Sequence, residues 1–418
     1  MKLKKFLREL DFSPSREEME YLKKETERVV GVLKEEIKKV KEAQEVFVGG
    51  SFAKGTVARS EKYDVDIFVR FDLRYDNISG LLEGIIKRAE KKLGLSVRKI
   101  HGSRDYFSLS NGKIEFEIIP VSRIKKPREA RNITDLSYFH VNYVKRKLKG
   151  KLIRELLLAK QFCESQGVYG AESYIKGFSG YGLECLIIYY KSFERMIREL
   201  SKAEERLIID PEKKYKRKAD VLIEMNESRL HSPIILVDPT WKERNALAAL
   251  SYESFTRFQE AAKGLSKSPS VKYFEVKDVD VSKLRKKKGE FLQLRIMSDR
   301  QEGDIAGTKM KKFAGFLERE LGRYFEILVK EFKYGGGKSA DFYLVLKSRG
   351  EIFRIGPSLN MKENAGAFRR ANKNVFEKNG LLHAREKIDF TGREFVEKWS
   401  RANERKMAEM GINGLEIV

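Results

Sequence analysis

Cysteine and histidine are scarce in this chain of 418 residues, with two of the first and four of the second. Cys163 and Cys185 both sit in apolar, helix-like sequence and read as two buried free thiols. No zinc-ligand spacing is present, and the histidines are too scattered for a His-built metal centre. Long apolar runs are also missing. Leu186–Tyr190 is far too short to span a bilayer. Met1-Lys-Leu-Lys-Lys5 is basic but has no extended apolar core behind it, so no secretory signal is expected. The chain also has no internal repeat and no long low-complexity linker. A disulfide scaffold, a zinc module and a membrane partner are thereby excluded, and a soluble cytoplasmic protein is expected.

Negative charge is in deficit too. Asp+Glu number 62 against Lys+Arg 86, a net charge of +24. A solvated or thermophilic surface explains many charges but not this imbalance. The excess favours a polyanionic partner, nucleic acid before membrane. What is abundant is apolar sequence, at 41% with 11% aromatic, ample for packed cores. The length implies two to four domains.

Ser15 with Glu18 predicts a capping box opening a helix to about Ala43. Strands are predicted at about 45–49, 63–71, 95–101, 105–110 and 113–121, with a helix at 78–93. From 137 to 200 the pattern is helical, interrupted by glycine clusters. Ile234–Val237 is a strand candidate ended by Asp238-Pro239, and Arg244–Lys263 is helical. The remainder mixes strands (291–297, 341–347) with helices (308–333, 392–410). The class is α+β and multidomain.

The most informative segment is Val48-Gly-Gly-Ser-Phe-Ala-Lys-Gly55 followed by Tyr63-Asp-Val-Asp-Ile-Phe68. Glycine lets backbone N–H groups approach a phosphate, while Ser51 and Lys54 add a hydroxyl and a charge. Asp64 and Asp66 alternate with Val65, Ile67 and Val69 and share one strand face. Two such carboxylates repel unless they share a cation. Ile114-Glu-Phe-Glu-Ile-Ile-Pro120 offers a third carboxylate on a neighbouring strand. An acidic solvent-facing sheet is the alternative there: the two readings stand level for Glu115, and metal is favoured for Glu117. Three carboxylates holding two Mg²⁺ ions suit an in-line nucleotidyl transfer, and an all-oxygen ligand set favours Mg²⁺ over zinc.

The turn Gly49–Thr56 with Asp64-x-Asp66 resembles the signature of the DNA polymerase β nucleotidyltransferase superfamily. Further on come Phe139-His-Val-Asn-Tyr-Val144, Gly167-Val-Tyr-Gly-Ala-Glu172, Lys176-Gly-Phe-Ser-Gly-Tyr181, Asp238-Pro-Thr-Trp-Lys-Glu-Arg-Asn245 and Gly356-Pro357 with Phe368. As an ordered set over nearly the whole chain, they resemble the archaeal class I CCA-adding enzymes. The resemblance implies a palm-like catalytic head with a mixed sheet (1–137), a helical nucleotide-binding neck (138–260), and an α+β body and tail that hold tRNA (261–418). It implies that Asp64, Asp66 and Glu117 hold the metal and that Gly50, Ser51 and Lys54 meet the triphosphate. His140, Lys160, Tyr169 and Arg244 would contact the nucleotide, with Arg244, at a helix start, reading the base edge. Two departures from the family pattern occur. Lysine stands at 54 where arginine is frequent, and the first and third metal positions exchange aspartate and glutamate.

Taken alone, His140 reads as a core histidine, Lys160 as a solvated helix charge, Tyr169 as a core or turn aromatic and Arg244 as an exposed arginine. Only the motif context reverses this. Gly335-Gly-Gly-Lys-Ser339 imitates a P-loop, but Phe332 stands where its first glycine belongs and a strand follows. The runs Lys213–Lys218 and Arg285–Lys288 read as solvated loops that help track phosphates. The expected reaction adds C, C and A to a tRNA 3′ end from CTP and ATP, releasing pyrophosphate, without a nucleic-acid template. Expected tRNA contacts are the acceptor stem and TΨC arm, and a homodimer is the frequent family assembly. The alternatives are a poly(A) polymerase or oligoadenylate synthetase, or a non-catalytic RNA-binding protein with a degenerate head.

Overall fold

The computed structural model describes residues 2–102, 104–299 and 302–418. It divides into two compact units, Met1–Val276 and Lys277–Val418. In the first unit, helix α1 (Lys2–Glu9) precedes α2 (Arg16–Ile37). The Ser15 hydroxyl accepts from Glu18 N at 3.1 Å, and the Glu18 carboxylate accepts from Ser15 N at 2.7 Å, so the predicted capping box is present.

Strand β1 (Ala43–Val48) leads into a short helix α3 (Gly50–Lys54), then β2 (Tyr63–Asp72), α4 (Ile78–Leu93), β3 (Ser96–Ile100), β4 (Tyr106–Ser110) and β5 (Ile114–Arg123). Among the described residues these strands form one sheet in the order β1-β2-β5-β4-β3. β2 and β5 run parallel and the other pairs antiparallel. Val65, Ile67 and Val69 of β2 and Phe116 and Ile118 of β5 are buried against α2 and α4, with Leu22, Val29, Leu33, Leu82 and Ile85. Burying each such side chain contributes about 1.5–3 kcal/mol. A one-residue slip would drive Asp64 and Asp66 into that core, which pins the register.

Asp135 fixes the far end of β5. Its carboxylate accepts from both terminal nitrogens of Arg104 (2.5 and 3.2 Å) and from the backbone N–H groups of Ser122, Arg131 and Asn132. Helix α5 (Ser137–Lys147) begins directly after it.

Helices α6 (Lys151–Ser165), α7 (Gly180–Tyr190) and α8 (Phe193–Ser201) follow, then β6 (Leu207–Ile209), α9 (Lys218–Glu224), β7 (Ile234–Leu236) and α10 (Tyr252–Lys267). Phe162, Phe178, Phe193 and Phe258 centre their core. Cys163 and Cys185 are buried free thiols, as expected. The expected neck boundary at 260/261 falls inside α10, whereas the compact units divide after Val276. No helix among the described residues is long and apolar enough to cross a membrane.

The second unit holds α11 (Val281–Arg285), β8 (Glu290–Ser298), α12 (Gly303–Gly322), β9 (Phe325–Tyr334), β10 (Ser339–Ser348), β11 (Glu351–Ser358), α13 (Lys362–Ala371), β12 (Val375–Lys378), β13 (Leu381–Lys387), α14 (Gly392–Ala402), α15 (Glu404–Glu409) and β14 (Ile412–Ile417). One sheet has the order β14-β8-β10-β9, and a second has the order β11-β13-β12. The helix predicted over 308–333 stops at Gly322. Beyond it Phe325 and Ile327 alternate with exposed Glu326 and Leu328, a two-residue period that makes an edge strand. The helix predicted over 392–410 breaks at Asn403, whose φ of −124° is not helical.

Asp135→Ala leaves the largely buried Arg104 guanidinium with only the Pro120 carbonyl and strips the Ser122 N–H of its side-chain acceptor. We expect a loss of about 3–5 kcal/mol in the first urea transition of the full chain. A loss below about 1 kcal/mol would contradict this role for Asp135.

Candidate active site

The strand register brings the predicted carboxylates together. Asp64 pairs with Glu115 and Asp66 with Glu117 across the parallel β2–β5 ladder. All four point to the face opposite the core, because the alternate residues fill it. Glu115 is committed elsewhere: Arg98 Nη2 donates to it at 2.7 Å, and so does the Ser108 hydroxyl. Among the described residues Asp64, Asp66 and Glu117 make no ion pair. Burial, then repulsion from Asp66, Asp64 and Glu115, pushes the Glu117 carboxyl up to about 8. Asp64 keeps solvent contact, yet crowding by the surrounding protein and the charges of Glu115 and Asp66 push it up to about 6. Asp66 is raised by burial, partly offset by the nearby charge of Lys54.

The glycine-serine turn is a short helix rather than an open loop. Gly50 has φ +56°, and a Cβ there would stand 1.6 Å from Asp66 Oδ2, so glycine is required on both counts. Gly49 N also donates to the Asp66 carbonyl at 2.8 Å. The turn therefore rests directly on the central carboxylate. Ser51 Oγ makes no hydrogen bond among the described residues. Lys54 is not free: its Nζ donates at 2.7 Å to Glu184 of α7, with the two side chains 10% and 1% exposed. Thr56 Oγ1 donates to the same carboxylate at 3.1 Å. Lys160 of α6 is buried, contrary to the solvated charge its sequence alone suggests, and its Nζ donates to the Thr56 carbonyl at 2.7 Å. Burial lowers its pKa to about 8.

A second cluster centres on Asp238, a residue within a quoted motif but not among the expected site residues. His140 Nε2 lies 3.1 Å and Arg244 Nη1 2.7 Å from Asp238 Oδ2. Tyr181 Oη donates to Oδ1 at 2.9 Å, joined by the N–H and hydroxyl of Thr240. Burial opposes the charge of Asp238, but the His140 bond and the Arg244 and Thr240 donors outweigh it and hold the carboxyl well below its usual range. Burial lowers the pKa of His140 despite Asp238, which favours the neutral ring. Its Nε2 then carries the proton shared with the carboxylate, and Nδ1 is left as an acceptor. The His140 ring stacks on Tyr181 with centroids 3.9 Å apart, and the Arg244 guanidinium lies 5.8 Å from the same ring.

Arg244 does not begin a helix. It closes a tight loop in which Asp238 N donates to the Arg244 carbonyl, and the helix starts only at Tyr252. Buried Asn245 holds that loop, accepting from Leu236 N and Leu247 N and donating to the Arg229 and Ile234 carbonyls. A cleft of about 290 Å³ opens beside Arg244 and Trp241. Tyr169 lies on a separate tight double bridge with Phe178, where a Cβ at Gly177 would meet the Val168 carbonyl at 2.1 Å. Its hydroxyl faces Gly180 at the start of α7. The Gly335–Lys338 segment is the turn of the β9–β10 hairpin, with no helix after it, so the P-loop imitation has no phosphate-binding context.

Among the described residues no three His, Cys, Asp or Glu side chains already form a metal cage. The donor set nevertheless suits a hard divalent cation: three carboxyl groups on one face, none in an ion pair, with Asp64 and Glu117 crowded by like charge. Carboxyls with raised folded pKa values make the folded state bind more protons than the unfolded chain. Stability of the metal-free protein must therefore fall as pH rises from the ordinary carboxyl value of 4.5 towards about 8. Thermal unfolding without divalent ions should show a larger loss of Tm between pH 5 and 9 for the wild type than for Glu117→Gln. Equal losses would remove Glu117 from the cluster.

The comparisons with known proteins agree with this geometry. Residues 29–135 match the nucleotidyltransferase domain family, and residues 154–275 match the family described as tRNA nucleotidyltransferase, second domain. The CCA-adding enzyme of Nanoarchaeum equitans is 38% identical over 246 residues, 58% of this chain and 60% of that protein. That of Saccharolobus solfataricus is 30% identical over 80% of this chain and 77% of its own length. That of Saccharolobus islandicus is 29% identical over 90% and 88%. Among solved structures, a cytoplasmic RNA terminal U-transferase aligns with TM-score 0.50 and 15% identity, covering 66% of this chain and 99% of its own. The Cid1 poly(U) polymerase with Mg and 3′-dATP bound aligns with the same TM-score and identity, covering 66% and 98%. At that identity these two share the fold alone. With paired carboxylates on a mixed sheet, a glycine turn seated on one of them, and relatives along most of its length, the chain belongs to the archaeal class I CCA-adding enzymes, the tRNA nucleotidyltransferases.

Proposed function

We propose that Asp64, Asp66 and Glu117 are the catalytic metal ligands with which this nucleotidyltransferase adds C, C and A to the tRNA 3′ end from CTP and ATP. The observation that carries this is the opposition of Asp66 and Glu117 across β2 and β5, with Gly50 against Asp66. Magnesium is the ion we assign, on the hardness of the ligands. When bound, two such ions lower the pKa of the attacking hydroxyl and neutralise the triphosphate and leaving pyrophosphate. Ser51 offers an unused hydroxyl and Lys54 an ammonium beside Asp66, both suited to phosphate oxygens.

Base selection falls to the Asp238 cluster. Asp238 holds Arg244 in place, and the remaining guanidinium N–H groups can donate to cytosine O2 and N3 or to adenine N1. The acceptor Nδ1 of neutral His140 and the side chains of Lys160 and Tyr169 complete the nucleotide contacts we assign. One pocket can reject uracil because it presents a donor where cytosine presents an acceptor.

Residues 261–418 are assigned to the acceptor stem and TΨC arm, and the net charge of +24 supports an RNA backbone as partner. Phe353, Ile355 and Phe376 add an exposed apolar sheet face, with His383 stacked on Phe376 at 5.5 Å, chemistry that suits unpaired bases. A homodimer in the cytoplasm is the setting the family resemblance implies.

Purified protein incubated with tRNA lacking its 3′ end, Mg²⁺ and each nucleotide should incorporate both CMP and AMP. A homopolymer from ATP alone would favour a poly(A) polymerase. Asp66→Ala should lower transfer by at least about 10³-fold while tRNA binding changes little. Retained activity would remove Asp66 from the site. Arg244→Lys loses the planar fork, and competition assays should show UMP incorporation rising relative to CMP by about tenfold. An unchanged ratio would separate Arg244 from base reading.

A further inference from the structure

Four charged groups cluster at the end of the phosphate turn: Lys54 and Lys160, Asp66 and Glu184. Each lysine acts on Asp66 along with Glu184, and Glu184 is the strongest charge acting on Lys160. Glu184 is the member that neither chemistry nor helix formation calls for. It lies 1% exposed in α7 among Leu183, Cys185, Leu186 and Ile187, all buried. A buried carboxylate is expensive, and an apolar side chain of similar size would commonly be as stable or more so. Its partners explain its presence: Lys54 Nζ at 2.7 Å and Thr56 Oγ1 at 3.1 Å, both on the turn. One helical turn earlier, Tyr181 of the same helix reaches Asp238. Thus α7 touches the phosphate turn and the base-reading cluster with side chains three residues apart.

We propose that Glu184 is a positioning residue acting through Lys54, an internal counter-ion that holds the lysine between turnovers and yields it to the incoming triphosphate. This rests on the assignment of Lys54 to the triphosphate. Carboxylate and phosphate oxygens compete for the charge of one ammonium, so a bound triphosphate draws Lys54 away from Glu184, which subtracts from affinity. The displaced carboxylate is not stranded, because the Thr56 hydroxyl still donates to it and Lys160 remains its neighbouring cation. After transfer, pyrophosphate meets the same competition, and recapture of Lys54 by Glu184 favours its departure.

The sign of the effect separates this role from a structural one. Damage to the turn weakens nucleotide binding, whereas removal of a competing counter-ion strengthens it. In the full chain with tRNA and Mg²⁺, Glu184→Gln should lower KM for both CTP and ATP by about fivefold and lower the pyrophosphate inhibition constant by a similar factor. Its kcat should fall as release slows. An unchanged or raised KM in folded Glu184→Gln overturns the proposal. If that variant does not fold, Glu184→Asp, which shortens the reach by one methylene, should shift both constants in the same direction by a smaller factor, and unchanged constants there overturn it equally. In a Lys54→Met background, Glu184→Gln should no longer lower KM, and a persisting effect overturns action through Lys54. Lys54→Met alone should raise KM. If it does not, the triphosphate assignment of Lys54 fails and the inference falls with it. If it does and Glu184→Gln is silent in the wild-type background, the inference alone fails.

Discussion

The parallel pairing of β2 with β5 is the constraint on which the site depends. Parallel strands are set side by side here by the chain passing through α4, β3 and β4 before returning as β5. The apolar residues of both strands are locked into one core, so the intervening acidic residues have no freedom of register. Asp66 and Glu117 thus face each other whatever the electrostatic cost, and the raised pKa of Glu117 expresses that cost in the metal-free protein. The fold gathers acidic groups at one place, which is the ground for the cation site we propose there.

Around that place the neighbouring positive charges come from the glycine turn itself and from α6. Lys54 neighbours Asp66 but is held by Glu184, and Lys160 reaches the turn from α6. The glycine turn is therefore joined to α6 and α7 through one buried ion pair and two hydrogen bonds, within a single compact unit. The Asp238 cluster is built on the same logic. A carboxylate surrounded by donors fixes His140, Tyr181 and Arg244 in one arrangement, the arrangement we propose for reading a base. Preorganised donors of this kind suit discrimination by hydrogen-bond pattern rather than by shape.

Much of the head was legible in the sequence because the first halves of β2 and β5 alternate and helices α2 and α4 carry N-caps. Ser15 and Glu18 predict a capping box that is present, and the Val65-Ile67-Val69 alternation predicts the face that Asp64 and Asp66 share. What was not legible depends on tertiary partners. Nothing local distinguishes Lys160 from a solvated helix lysine, since its burial comes from the Thr56 carbonyl 104 residues away in the chain. Glu184 left a signal, a lone acid in the apolar run Leu183–Tyr190, that a search for buried charges would have caught. The helix-compatible residues after it suggest a helix start at Arg244, but the Asp238 and Asn245 bonds hold the segment as a loop. In β11 and β12 the apolar residues stand next to one another (Ile352-Phe353, Val375-Phe376) rather than alternating with polar ones, so they lack the two-residue period that reveals a strand.

If the divalent cation and the triphosphate meet on the β2–β5 face, a crystal structure of the full chain with Mn²⁺ and a non-hydrolysable CTP analogue will show it by anomalous scattering. The expected result is an anomalous peak ligated by Asp64 and Asp66, with Glu117 on the same ion or its neighbour and the triphosphate on the Ser51 side. A peak held by other residues, or a triphosphate bound away from this face, would contradict it.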